Sequence, residues 1–233
     1  MIALALAGTA SISTTAGAEP RPAAGPAMAY DWSGLYIGIQ GGSGTSHTTV
    51  TNVTDTHFFT FIGDSRSITA SGFLGGVILG AQKQFGLMIL GIEAGSAWGT
   101  LSKTVRTQGR FTLDNYNAKI IDPRFVAGKI GVTFDRTLIY GKGGWATAGV
   151  STQSDEFPEF THFGHSSGRQ NGYVVGVGAE YAWMAHVIAG IEYNYYDLGA
   201  KAQVGTSNTG GSYTVAVHPT AHAIVARLSY KFN

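Results

Sequence analysis

The sequence predicts an all-β fold: an eight-stranded antiparallel up-and-down transmembrane β-barrel. Three observations lead to this fold class: alternating side chains, little charge, and connections whose lengths alternate. The alternation is clearest in residues 173–199, which form two strands around a short turn. Val175 and Val177 fall on one face, and Gly176 and Glu180 fall on the other. A period of two residues is that of a β-strand and excludes a helix.

The chemistry of the two faces indicates a membrane. One face of residues 173–199 is aliphatic and aromatic and carries no charge, whereas the other combines small residues with single, widely spaced charges. A membrane barrel has this arrangement, with apolar side chains outside and polar ones inside. A soluble β-barrel with an ordinary core is the alternative.

Composition limits the classes of function. Charged residues make up 12% of the 233 residues, about half the usual share of a soluble domain. The net charge of +1 gives no case for nucleic acid, and the absence of cysteine excludes disulfides and thiol catalysis. No apolar run reaches the roughly 18 residues of a membrane helix. A membrane protein with this sequence must therefore be a closed barrel.

The N-terminal region is expected to lie outside the barrel. Residues 1–18 have the features of a signal peptide, with an apolar segment that leads to the cleavage pattern Ala16-Gly17-Ala18. Residues 19–32 are rich in Pro and Ala and are interpreted as a periplasmic lead-in. The barrel is assigned to residues 33–233.

Alternating runs define the eight strands. The first begins near Ser33, and the others occupy about 69–82, 87–101, 123–134, 137–152, 173–183, 187–199 and 215–232. Short turns are expected at 83–86, 135–136 and 183–186. Long loops are expected at 45–68, where the strands extend into the loop, and at 102–122, 153–169 and 200–214. Short and long connections therefore alternate strictly, as in outer-membrane barrels with short periplasmic turns and long external loops.

Each strand is recognised by apolar residues at alternate positions, which form one face. The residues on this face include Leu35, Ile37 and Ile39 in the first strand, Leu90, Ile92 and Trp98 in the third, Val126, Ile130 and Val132 in the fourth, Ile139 and Trp145 in the fifth, Ile191 and Tyr193 in the seventh, and Ile224, Leu228 and Tyr230 in the eighth. The second strand is the run TASGFLGGVILGAQ. Every strand reaches the roughly 9–11 residues that a membrane crossing needs.

The opposite, inward face carries three acids and three bases near the middle of the strands. These residues are Glu93, Lys129, Lys142, Glu180, Glu192 and Arg227. Side chains just fill the interior of an eight-stranded barrel, and an unpaired buried charge is very costly. We therefore expect a salt-bridged, plugged lumen rather than a wide aqueous pore.

Aromatic side chains are expected to fix the depth of the barrel in the bilayer. The predicted belt comprises Trp98, Trp145, Tyr181, Trp183, Tyr193 and Tyr230. Tyr36 is a further candidate, with the alternative that it faces inward.

Several short motifs carry a resemblance to a known family. They include Asp31-Trp32-Ser33-Gly34-Leu35-Tyr36, Tyr140-Gly141-Lys142-Gly143-Gly144, Gly176-Val177-Gly178-Ala179-Glu180-Tyr181 and Glu192-Tyr193-Asn194-Tyr195-Tyr196-Asp197. In order and spacing they resemble the Omp25/Omp31-like small outer-membrane β-barrel proteins of alphaproteobacteria, a porin family within the OmpA-like eight-stranded barrels. The resemblance covers about residues 30–233.

The resemblance implies a structural protein of the bacterial outer membrane without catalytic residues. Its implied partners are outer-membrane lipids and lipopolysaccharide, the barrel-assembly machinery that recognises the C-terminal strand, and a host or surface ligand at the loops. A narrow porin for small solutes and a soluble lipocalin-like binder are the other hypotheses.

Other chemistry is weakly supported by the sequence. His162 and His165 have a spacing that could bind a metal or haem, but no Cys or carboxylate stands at ligand spacing, so solvated loop histidines are the simpler interpretation. We predict no cofactor. A lipid-modifying enzyme would need a serine or carboxylate beside a histidine, and the only plausible base, His222, falls on the lipid-facing side.

Overall fold

The computed structural model describes residues 30–54, 62–63, 65–108, 113–157, 161–206 and 212–232. Within these ranges the strands are β1 (Gly34–Asn52), β2 (Ser65–Phe85), β3 (Met88–Gln108), β4 (Leu113–Phe134), β5 (Thr137–Phe157), β6 (Thr161–Ala182), β7 (Val187–Asp197), β8 (Lys201–Thr206) and β9 (Ser212–Phe232). All pairings are antiparallel, and β1 pairs with β9 to close the sheet. Since β7 and β8 both pair with β9 as one interrupted barrel strand, the predicted eight-stranded barrel is confirmed.

The strands extend well beyond their predicted ends. The β1–β2 ladder continues to Thr51 and Ser65, and the β5–β6 ladder continues to Glu156 and Thr161. The strand extensions expected within 45–68 are therefore confirmed, whereas the prediction of long loops throughout 102–122, 153–169 and 200–214 was wrong. Thr- and Ser-rich segments can form strands outside a membrane, because their hydroxyls pair across neighbouring strands. Thr45 and Ser71 are joined in this way at 3.1 Å.

Three short turns lie at one end of the barrel, which we call the turn end; the opposite end is the loop end. The turns at 135–136 and 183–186 are confirmed. The first turn lies at Gly86 and Leu87 instead of 83–86, because β2 stays paired to Phe85. Gly86 and Asp135 adopt the left-handed conformation, with φ angles of 62° and 53°, as tight hairpins require.

The apolar face of the sheet points outward, as predicted. Val177 is 62% exposed and Ile92 is 66% exposed, whereas the charged residues Glu93 and Glu180 are 1% and 5% exposed. This is the reverse of a soluble protein, in which large apolar surfaces are buried. It corresponds to a barrel whose outer surface contacts lipid.

The interior contains two apolar layers separated by a polar one. The larger apolar layer lies in the loop-end half and includes Val50, Leu101, Ile120, Val150 and Val217. The buried amides of Gln170 and Gln203 lie beside it. The smaller one lies at the turn end. No helix in the described part of the chain is long and apolar enough to cross a membrane.

Candidate functional site: the interior of the barrel

The structure brings all six inward charges together in one group, which we call the ion cluster: Glu93, Lys129, Lys142, Glu180, Glu192 and Arg227. Each comes from a different strand, in order β3, β4, β5, β6, β7 and β9. All six side chains are between 1% and 5% exposed. The ion cluster therefore crosses the lumen from wall to wall.

Every charge in the ion cluster contacts an opposite charge. The guanidinium of Arg227 contacts the carboxylates of Glu93 and Glu192. The ammonium nitrogen of Lys142 lies 2.7 Å from Glu192 and 3.1 Å from Glu93. Three cations balance three anions, so the net charge of the cluster is zero, which is the condition for burying ions at tolerable cost.

Lys129 and Glu180, on the two strands that flank β5, complete the ion cluster. The Lys129 ammonium donates to both oxygens of the Glu180 carboxylate, at 2.9 and 3.0 Å. The Arg227 guanidinium lies 3.5 Å from the same carboxylate. Arg227 therefore links this pair to the other four charges.

Two tyrosines extend the network, and sequence reasoning did not assign them to it. The Tyr36 hydroxyl donates to Glu93 at 2.8 Å, and the Tyr140 hydroxyl donates to Glu192 at 2.5 Å. Arg227 in turn donates to the Tyr140 oxygen at 2.7 Å. Charge-assisted hydrogen bonds of this kind are stronger than neutral ones, so the hydroxyls help to neutralise the carboxylates.

Two inward glycines make room for the tyrosine rings. A Cβ at Gly80 would stand 2.3 Å from the Tyr36 ring, and one at Gly178 would stand 2.6 Å from the Tyr140 ring. Both rings lie flat across a neighbouring strand and reach the centre of the lumen. Glycine is therefore required at these two positions, because a larger residue would displace the tyrosine ring.

The turn end is closed by a plug, which we define as Tyr30, Trp32, Ile89, Leu138, Ala182 and Ile188. Trp32 is 0% exposed, as are Ile89 and Leu138, and Tyr30 packs edge-on against Trp32 with ring centroids 5.0 Å apart. Residues 30–32, which the sequence analysis placed in a periplasmic lead-in, thus pack against the mouth of the barrel.

Hydrogen bonds tie this N-terminal segment to the turns. The Trp32 indole donates to the Asp135 carbonyl at 3.3 Å, and the Trp32 backbone N–H donates to the Gln84 side chain at 2.9 Å. The Tyr30 hydroxyl donates to the Ala185 carbonyl at 3.0 Å. Trp32 can therefore reach its position only when the turns are in place, which the strand pattern does not reveal.

The loop-end layer is closely packed. A void bordered by Leu74, Leu101, Ile120, Ala148 and Leu198 measures about 20 Å³. Such a volume holds roughly one water molecule. The ion cluster therefore lies between two apolar layers.

The predicted aromatic belt divides into two groups on the outer surface. Trp98 and Trp145 lie toward the loop end, and Tyr181, Trp183 and Tyr230 lie toward the turn end, all between 48% and 66% exposed. Tyr193, which is 39% exposed, lies between them. Tyr36 is 3% exposed and faces inward, so its assignment to the belt was wrong and the alternative holds.

The separation of the two groups is comparable with the apolar band of outer-membrane barrels, which is about 25 Å tall. Tyr173, opposite Trp145, and Tyr181 are eight positions apart along β6, which corresponds to roughly 27 Å of strand. With the usual tilt of about 40°, this gives roughly 20 Å of height, close to the apolar band of such barrels.

The candidate histidines lie on strands of the barrel. His162 and His165 lie in β6 rather than in a loop, and their side chains are outside the described residues. No cluster of three or more His, Cys, Asp or Glu side chains suited to a metal occurs in the part that is described. His222 faces outward, where its ring nitrogen bonds the Tyr193 hydroxyl at 2.6 Å.

Comparisons with known proteins agree with this geometry. A family model described as outer membrane protein β-barrel domain matches residues 2–232. The 31 kDa outer-membrane immunogenic proteins of Brucella melitensis biotype 1 and Brucella suis biovar 1 are each 27% identical over 215 residues, which covers 91% of this chain and 88% of theirs.

Two solved structures share the fold. The outer membrane protein OprG from Pseudomonas aeruginosa superposes with a TM-score of 0.58 at 15% identity, covering 88% of this chain and 98% of that one. The outer membrane protease OmpT from Escherichia coli gives a TM-score of 0.53 at 12% identity, covering 85% and 97%. At these identities, the likeness concerns the fold alone.

Proposed function

Because this chain belongs to the family of outer membrane protein β-barrel domains and is a protein of the bacterial outer membrane, we propose that it serves there as a structural barrel with a sealed lumen. Its turn end faces the periplasm and its loop end faces outward, in the usual orientation of such barrels. The extended strands at the loop end carry four connections away from the membrane and support envelope integrity and surface interaction.

The ion cluster is the observation that carries this proposal. A conducting lumen needs a hydrated path, whereas here the charged side chains from six strands bond to one another across the centre. The plug and the loop-end layer shield the cluster on both sides. Breaking such buried pairs one partner at a time is costly, so thermal motion rarely opens the path.

Partners follow from position and from relatives. Lipids contact the outward apolar face, and lipopolysaccharide surrounds its outer half. The C-terminal strand β9, which ends at Phe232, is proposed to be recognised by the barrel-assembly machinery. The Brucella relatives are named immunogenic, which supports exposed loops able to meet a host or surface ligand. Residues 1–18 are proposed to be removed as a signal peptide.

A narrow porin for small solutes is the second candidate, because the name porin is used within the Omp25/Omp31-like group. Its lumen would have to open at the ion cluster. Catalysis has no positive support, since the relatives with similarity along the chain are named only as outer-membrane proteins.

Single-channel recording of refolded protein separates the two candidates. Insertion is checked first by electrophoresis with and without boiling, because folded small barrels migrate differently when heated. If the lumen is sealed, the inserted protein shows no steady channel openings in the recording. Steady openings at the nanosiemens scale would favour the porin and refute the sealed lumen.

A further inference from the structure

The outer surface has a basic region immediately beyond the aromatic side chains of the loop end. We call it the basic arc and define it as Arg124 and Arg169, on β4 and β6, which are both exposed and lie on the same face as Val126 and Tyr173. Trp145 and Tyr173 pair directly across β5 and β6 and mark the edge of the apolar band below it. The arc therefore lies where the headgroups of the outer leaflet begin.

Strand register gives the height of the basic arc. Arg124 is two positions beyond Val126, which pairs with Trp145, or about 7 Å along the strand. Arg169 is four positions beyond Tyr173, or about 13 Å. Long cationic side chains can bend back toward a membrane surface, so both guanidinium groups reach a thick headgroup layer.

The cations of the arc have no anionic partner among the described side chains. The ammonium of Lys201, which starts on the lumen face of β8 opposite Val217, reaches the backbone carbonyl of Arg169 at 3.3 Å and does not belong to the arc. The nearby carboxylate of Asp197 is already engaged by His218 at 2.9 Å and by the Gly199 backbone N–H at 2.9 Å. The arc therefore presents uncompensated positive charge toward the lipid headgroups.

The opposite side of the rim differs in chemistry. On β1 and β2 the outward side chains beyond the apolar band are hydroxyls and an imidazole, which bond across the strands: Thr45 with Ser71 at 3.1 Å, and His47 with Thr69 at 3.0 Å. These groups satisfy each other and carry no fixed charge. Among the described outward side chains at this level, those of β1 and β2 thus offer no fixed charge to an anionic lipid, whereas those of β4 and β6 do.

We propose that the basic arc binds the phosphate groups of lipopolysaccharide, with Trp145 and Tyr173 packed against the adjoining sugars and acyl chains. Guanidinium groups bind phosphate through paired, charge-assisted hydrogen bonds, and basic residues at a membrane surface attract anionic lipid. The site rests on the proposed function in one respect, the outward orientation of the loop end. It adds to that function a specific contact with lipopolysaccharide on one side of the barrel.

The test measures the affinity of refolded full-length protein for fluorescently labelled lipopolysaccharide in detergent. R124Q/R169Q is expected to bind about tenfold or more weakly, and R124K/R169K, which keeps the charges but loses the paired hydrogen bonds, is expected to bind with an affinity between that variant and the wild type. The matched control K83Q/R136Q removes two charges at the turn end and leaves the affinity unchanged. The heat-dependent band shift establishes that each variant is folded.

Dephosphorylated lipopolysaccharide and inorganic phosphate distinguish the source of the contact. Weak binding of the dephosphorylated lipid, without competition from millimolar inorganic phosphate, supports the proposal. The proposal is overturned if R124Q/R169Q keeps its affinity, if K83Q/R136Q loses as much, or if the dephosphorylated lipid binds equally well. Displacement by free phosphate would also overturn it, because the arc would then bind a soluble anion. Failure of the wild type to insert would instead refute the membrane barrel itself.

Discussion

Replacing Glu192 with Gln perturbs the ion cluster at its most connected carboxylate. Glu192 receives hydrogen bonds from Tyr140 at 2.5 Å, Lys142 at 2.7 Å and Asn194 at 2.7 Å, and it contacts Arg227. The substitution leaves three cations facing two anions in a water-poor interior. Removing one partner of a buried ion pair costs about 3–5 kcal/mol, and we expect the free energy of unfolding of E192Q to fall by that amount.

A second substitution tests whether charge balance is the cause. Lys142→Met removes a cation that contacts Glu192 and Glu93, so E192Q/K142M restores equal numbers of charges. We expect the double variant to be less destabilised than the sum of the single variants, with a coupling energy of about 0.5–3 kcal/mol. The measurement is urea unfolding in detergent, followed by the fraction of unboiled protein in the folded electrophoretic band.

Two results would refute this reasoning. A cost below about 1 kcal/mol for E192Q would resemble that of a solvated surface pair. Strict additivity in the double variant would show that the two charges do not interact. Either outcome would indicate a hydrated lumen and favour the narrow porin.

Three further predictions use the same unfolding assay. Trp32→Ala should cost about 3–5 kcal/mol because it empties a fully buried site, whereas Trp183→Ala, at a residue 66% exposed, should cost much less; equal costs would mean that Trp32 does not close the mouth. Val177→Arg should cost about 2–4 kcal/mol by placing a cation in the bilayer, while Val204→Arg on β8 should be nearly neutral, and a neutral Val177→Arg would contradict lipid contact there. The Ser33 backbone N–H lowers the pKa of Asp31, so the stabilisation is present above the unfolded pKa of about 3.9 and is lost as pH falls through the lower folded pKa. Asp31→Asn should therefore cost less than about 1 kcal/mol at pH 7 and nothing at a pH below that folded pKa; a cost independent of pH would exclude the ionised carboxylate as its source.

The alternation of side chains between the two faces of a strand explains why the fold class and the inward charges could be predicted from the sequence. Once Val177 is assigned to the outer face, Glu180 and Gly178 must point inward, and hydrogen-bonded register then brings charges from different strands to one level. The turn at 135–136 follows from a local signal as well. Fold class and inward charge positions depend only on such short-range rules.

Long-range features could not be predicted in this way. Trp32 precedes the first strand, and its position depends on contacts with turns that are 52 and 103 residues away along the chain. The tyrosine bridges depend on Gly80 and Gly178 lying on the neighbouring strand. The strand extensions within 102–122, 153–169 and 200–214 were missed because polar segments resemble loops in composition, whereas cross-strand pairing decides their structure.

The orientation of alternate side chains is tested most directly by spin labels on β6. The chain contains no cysteine, so single cysteines at Val174, Val175, Val177 and Ala182 can be labelled without background. In lipid vesicles we predict frequent collisions with lipid-soluble oxygen for labels at Val175 and Val177, and few for labels at Val174 and Ala182. Equal collision rates at all four positions, or the reverse pattern, would contradict a barrel with lipid outside and paired ions within.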